Sequence, residues 1–142
     1  MFNRFVVWLA QSPLHALMSS TVVLVGYRGR RSGRWFSVPV NYAITEKNGS
    51  RRIWITSSRD RVWWRNFMED YEAELILDGE CIPVVLRASV DTEDVAQGLS
   101  QYLGAVPRAA RYFGVELDEH GRPRPDDVQR AAGERVIIYA DL

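Results

Sequence analysis

Two dipeptides, Asn48-Gly49 and Asp78-Gly79, each separate a pair of apolar runs, and this constrains the chain more than any other feature. Asn-Gly and Asp-Gly accept the left-handed backbone conformations that a two-residue hairpin turn demands. The first turn joins Trp35–Thr45 to Arg52–Ser58, and the second joins Ala73–Leu77 to Cys81–Val90. Thr21–Val25 is β-branched and apolar throughout, as a strand buried on both faces should be, and Val136–Ala140 closes the chain in the same style. Pro83, lacking a backbone N–H, belongs at an edge or a bulge. The expected fold class is mainly β with helices (α+β): about six antiparallel strands closed as a small barrel, with helices at one end and between strands.

The helices are expected in four places. An acid-rich first turn at Asp91-Thr92-Glu93 starts one after strand five, running to about Leu103 and stopping before Gly104. Arg61–Met68 and Pro107–Phe113 read as short helical turns. Most of Gly114–Val128, rich in proline, glycine and charge, reads as surface loop. Residues 1–20 form an N-terminal helical segment, with Ser12 as a cap and Pro13 in the first turn, ahead of a single barrel domain over 21–142. That segment packs on the core or, with Arg4 beside Phe5 and Trp8, makes peripheral contact with a membrane surface. Its continuous apolar run of six residues, Phe5–Ala10, is too short for a secretion signal, and no run in the chain approaches the ~18–20 residues of a membrane-spanning helix.

The chain is neutral overall, with 18 bases and 18 acids, but the average conceals a split. Between Arg28 and Arg65 lie ten bases and two acids, so the remainder carries the matching negative surplus. Such a window presents a basic face to an anion or pairs with acids elsewhere in the fold. Cys81 is the single cysteine, which excludes an intrachain disulfide and favours a reducing, cytoplasmic address. Set in a strand among apolar neighbours, it reads as buried filler rather than a nucleophile. His15 and His120 are the only histidines and lie far apart, so no metal site is expected. No phosphate-cradling lysine loop and no Gly-x-Gly-x-x-Gly are present.

Three local clusters carry chemistry. Gly29-Arg30-Arg31-Ser32-Gly33-Arg34 is a basic, glycine-flanked turn whose N–H groups and guanidinium groups suit a phosphate; the alternative is a solvated hairpin. Ile55-Thr56-Ser57-Ser58 ends a strand in hydroxyls that either donate to a ligand or cap the next helix. Trp63-Trp64-Arg65-Asn66-Phe67 places aromatics beside an amide, and core packing is the competing use.

Together with Val38-Pro39-Val40 and Val136–Ala140, these clusters in this order and spacing resemble the deazaflavin-dependent nitroreductase and quinone reductase family, part of the split β-barrel, FMN-binding-like group that includes pyridoxamine-phosphate oxidase. The resemblance covers the chain from about Thr21 to its end. It implies a reductase that binds coenzyme F420, an 8-hydroxy-5-deazaflavin, with FMN as the alternative cofactor. It further implies that Arg30, Arg31, Ser32 and Gly33 take the cofactor phosphate and that Ser37, Val38, Pro39 and Val40 run along the ring. Ser57 and Ser58 would line ring or phosphate, and the backbone of Trp63 and Trp64, with Asn66, would contact the ring edge and ribityl chain. Tyr112 falls where relatives place a proton-donating, substrate-facing tyrosine. Phe36 and Ser58-Arg59-Asp60 depart from relatives that carry basic or glycine residues there; Arg34, Arg59 or Arg61 would compensate.

The expected function is therefore hydride transfer from the reduced cofactor to a small-molecule substrate, a quinone, nitro compound or activated alkene, by a monomer or homodimer. The cofactor carries the hydride, so no protein nucleophile is required. A nucleic-acid module would instead use the arginines with Trp35, Trp54, Trp63 and Trp64 as stacking platforms. No nucleic acid is expected as partner, because tryptophans so spaced in strands face a core more often.

Overall fold

The computed structural model describes residues 22–142, and the expected N-terminal helical segment lies outside them. Six antiparallel strands close into a barrel: β1 (Val22–Arg28), β2 (Trp35–Lys47), β3 (Ser50–Ser58), β4 (Tyr71–Leu77), β5 (Glu80–Ser89) and β6 (Arg135–Asp141), in the spatial order β1-β2-β3-β6-β5-β4. Both turn dipeptides behave as hairpin chemistry requires. Asn48 and Gly49 have φ of 54° and 79°, and Asp78 and Gly79 have φ of 50° and 80°.

The barrel is built from two sheets that share long strands. β2 pairs with β1 from Trp35 to Asn41 and with β3 only from Tyr42 onward. β5 pairs with β4 from Glu80 to Leu86 and with β6 only from Arg87 to Ser89. Each shared strand thus leaves one sheet and enters the other, and two clefts open where it has lost its second neighbour. Pro83 lies opposite Glu74, on the stretch of β5 that has no partner on the β6 side, so its missing N–H interrupts no ladder there.

Inward-facing residues fill the barrel: Ile53 and Ile55 of β3, Leu75, Leu86, Ile138 and the ring of Phe67 are fully buried. Phe67 belongs to the 3-10 helix Trp63–Phe67, which plugs the barrel with Trp63 and Trp64. A second core lies outside, where α1 (Thr92–Ala105) covers the sheet through Val95, Leu99 and Leu103. Asp91 caps α1 by accepting from the N–H groups of Glu93 and Asp94 at 3.0 and 3.2 Å. Contact is closest at Gly98, where a Cβ would overlap Ile137 and meet Trp54 at 3.1 Å. The helix runs through Gly104 to Ala105 rather than stopping before it.

Most of 114–128 is loop, as expected, but its last four residues open a helix that the sequence reading does not place, α2 (Pro125–Ala132). Pro125 occupies the first turn, where its missing N–H costs nothing, and Val128, Ala131 and Ala132 bury against α1. Eight residues with three buried small side chains leave little apolar periodicity to read. Cys81 is exposed rather than buried filler. Its thiol donates to Glu74 at 3.3 Å, and desolvation followed by that carboxylate pushes its pKa up to about 11, which makes it a poor nucleophile.

Candidate functional site

The cleft between β2 and β3 follows directly from the register. The ladder ends at the pair Tyr42 and Ile55, so Pro39, Val40 and Asn41 face Thr56, Ser57 and Ser58 across a gap. One end is closed by Trp63 and Arg61. The other is roofed by the end of α1 and the 3-10 helix Pro107–Phe113. The cavity holds about 530 Å³, within the range of small-molecule and cofactor sites. Three arginines line it, Arg61, Arg108 and Arg135, and among the described residues no carboxylate does.

Several groups on its wall lack the partners that burial demands. Trp63 is 6% exposed and its indole Nε1 has no hydrogen-bond partner; Arg135 Nε is buried and equally unpartnered. Unmade hydrogen bonds at buried donors each cost on the order of 1–3 kcal/mol. Arg135 Nη2 donates to Thr56 Oγ1 at 2.9 Å, leaving the Thr56 hydroxyl proton to point elsewhere. The Arg135 guanidinium rests over the rings of Tyr112 and Phe113, at 5.7 and 5.2 Å. Tyr102, only 2% exposed, has its pKa pushed up to about 12 by burial against the pull of Arg135 and Arg108, so its hydroxyl is neutral at ordinary pH.

Of the positions named from sequence, the fold gathers Pro39, Val40, Ser57, Ser58, Trp63 and Tyr112 on this one cleft. Ser57 donates to the Ser58 carbonyl, and Ser58 donates to Asp60, whose carboxyl pKa falls chiefly because of that bond. Both hydroxyls therefore face a ligand as acceptors unless these bonds are exchanged. Tyr112 lies at the rim, 67% exposed. Ser37 and Val38 do not line the cleft, and Val38 turns into the barrel core. Trp64 is also core, with Nε1 unpartnered and Arg65 over its ring at 5.5 Å.

The basic turn departs most from expectation. Its N–H groups do not fan outward as an anion cradle. Gly29 donates to Arg34 O, Gly33 to Gly29 O, Arg34 to Ser32 Oγ and Arg30 to Asn66 Oδ1. Only the N–H groups of Arg31 and Ser32 remain without a partner among the described residues. The Arg30 side chain is committed as well, donating to the carbonyls of Asn66, Glu69 and Asp70 and lying 4.1 Å over Tyr71. Asn66 closes the staple by donating to Trp63 O at 2.9 Å, so its amide is structural. Arg59 does not compensate for a missing base: Nε donates to Arg135 O, and Nη2 to Val90 O and Ala132 O. It ties the end of β3 to β6, to the β5–α1 connection and to α2.

Sequence reasoning overlooked Arg108, Arg135, Tyr42 and Tyr102 as site residues. Arg135 reaches the cleft because the β3–β6 register sets it opposite Ser58, diagonal to Thr56. Nothing local to Glu134-Arg135 announces that.

The other cleft, between β5 and β6, is larger at about 850 Å³ and of opposite charge. Asp70, Glu72, Glu74 and Asp141 line it against Arg87, which pairs with Asp70 at 3.2 Å. No helix of the described residues roofs it. No group of three or more metal-ligating side chains occurs among those residues. No helix among them is long and apolar enough to cross a membrane.

No protein-family model matches the chain, and no curated protein does. Solved structures do match. One, described as a domain-swapped dimer, superposes with a TM-score of 0.54 over 97% of this chain and 94% of its own, at 16% identity. The likeness establishes the class of fold, a six-stranded antiparallel barrel consistent with the split-barrel architecture.

Proposed function

We propose that the protein is an oxidoreductase that holds a deazaflavin of the F420 type in the β2–β3 cleft and delivers its hydride to a small-molecule acceptor: a quinone, nitro compound or activated alkene. The observation that carries this reading is the convergence of six positions named from the family resemblance on one cavity lined by three arginines and no acid. When bound, the deazaflavin supplies the hydride. Pro39, Val40 and the Trp63 ring give a flat apolar wall that orients a planar group and excludes water. Arg61 meets the cofactor's negative charge. Arg31 and Arg34, with the two remaining amides of the basic turn, extend that field toward a phosphate and an acidic tail. Arg30 and Asn66 act through the turn, fixing it to the 3-10 helix that presents Trp63.

The test is equilibrium titration of the protein with F420 and, separately, with FMN, read by tryptophan quenching. The proposal expects micromolar or tighter F420 binding that Arg61→Ala weakens about tenfold. Tight FMN binding with no F420 binding reassigns the cleft to a flavin; binding of neither overturns the cofactor reading.

We further infer a homodimer. β5 lacks a β6 partner from Glu80 to Leu86, Val85 there is 51% exposed, and the structural relative forms a domain-swapped dimer. Light scattering on the eluted protein at micromolar concentration tests this: a molar mass near twice 16.3 kDa is expected, and a monomer overturns it.

A further inference from the structure

We infer that the roofed end of the β2–β3 cleft, at Arg135, is a carboxylate subsite, so that the acceptor is a planar conjugated acid rather than a neutral quinone or nitroarene. This rests on the reading of the cleft as a reductase site. The cavity has two ends of different make-up. The barrel end, with Trp63 and Arg61, is the one assigned to the cofactor. The other end lies under Val106, Ala109 and Phe113, and holds Arg108 and Arg135 with no carboxylate to answer them.

Arg135 is built for an oxygen pair. One Nη2 proton is fixed on Thr56, which orients the planar guanidinium, and the aromatic rings of Tyr112 and Phe113 lie against it. Nε–H is enclosed by protein, whereas Nη1 and the second Nη2 proton have no partner among the described residues, and that end-on pair matches the two oxygens of a carboxylate. A group that accepts from both Nη hydrogens is selected over an isostere that cannot. Neutral Tyr102, held near this end, supplies a donor and no competing charge. The apolar roof accommodates a conjugated skeleton but no large polar substituent.

The probes are cinnamate and cinnamamide, of one shape and differing in charge, titrated calorimetrically into the protein with and without saturating cofactor. Cinnamate is expected to bind about tenfold or more tightly than cinnamamide. Arg135→Gln removes this preference, and Arg87→Gln in the opposite cleft retains it. Equal binding of the two probes by the unaltered protein overturns the subsite without reference to any variant. Displacement of cinnamate by cofactor also overturns it, since Arg135 then serves the cofactor's own anion. If neither F420 nor FMN binds but the carboxylate preference persists and depends on Arg135, the reductase reading falls and the anion subsite stands. If the cofactor binds and the preference is absent, the subsite falls alone.

Discussion

The two clefts of this barrel arise from one device and differ in nearly everything else. In each, a long strand leaves one sheet for the other, β2 at Asn41 and β5 at Leu86, and a void opens beside it. The β5–β6 cleft is the larger, yet it is unroofed and acidic, and its base, Arg87, is paired with Asp70. The β2–β3 cleft is smaller, roofed by α1 and the 3-10 helix that follows, and carries three arginines without a carboxylate. Volume alone therefore misleads. A binding site needs charge or polarity left unanswered by the protein itself, in surroundings dry enough for that to matter.

The comparison breaks most forcefully at Arg59. It anchors the end of β3 to β6, the β5–α1 connection and α2 through three hydrogen bonds to carbonyls. Arg59→Ala should cost about 2–3 kcal/mol in chemical denaturation, since charge-assisted bonds are lost and carbonyls orphaned. A change below 0.5 kcal/mol would show the clamp to be ornamental. Trp63→Phe sharpens the contrast next. It preserves the plug but deletes the unpartnered Nε1, so stability should stay level or rise by about 1 kcal/mol in chemical denaturation. A loss above about 1 kcal/mol would show that the indole's extra ring, not its N–H, matters to the plug.

Alkaline titration separates the clefts more gently. The folded protein raises the Tyr102 pKa from 10.0 to about 12, because burial disfavours the phenolate. The native state thus binds that proton more tightly than the unfolded chain. The resulting stabilisation is complete below pH 10 and drains away between pH 10 and about 12. Tyr102→Phe should flatten the fall of melting temperature across that window; an unaltered slope refutes the assignment. The smallest effect belongs to Arg87→Gln. Its ion pair with Asp70 joins side chains 53% and 63% exposed, so stability should change by less than about 0.5 kcal/mol and cofactor affinity not at all. A clear loss of affinity would move the site to the acidic cleft.

Much of the fold is legible locally. The hairpins at Asn48-Gly49 and Asp78-Gly79, the alternation along β3 and the Asp91 cap each express a preference held within a few residues. The second helix was not, because Pro125 can begin a helix as readily as break one and only packing on α1 decides which. Exposure of Cys81 was equally hidden: β5 alternates, but which face meets solvent depends on the sheet across from it.

The site divides in the same way. Sequence alone determined that basic and aromatic residues concentrate between Arg28 and Arg65, since composition is independent of folding. Tertiary structure decided their employment. It turned the N–H groups of Gly29, Arg30, Gly33 and Arg34 onto internal acceptors, committed Arg30 and Arg59 to carbonyls far along the chain, and brought Arg135 from the last strand to Thr56. The physical reason is that a donor takes whichever acceptor folding delivers within about 3 Å, and those acceptors come from residues the local sequence does not contain.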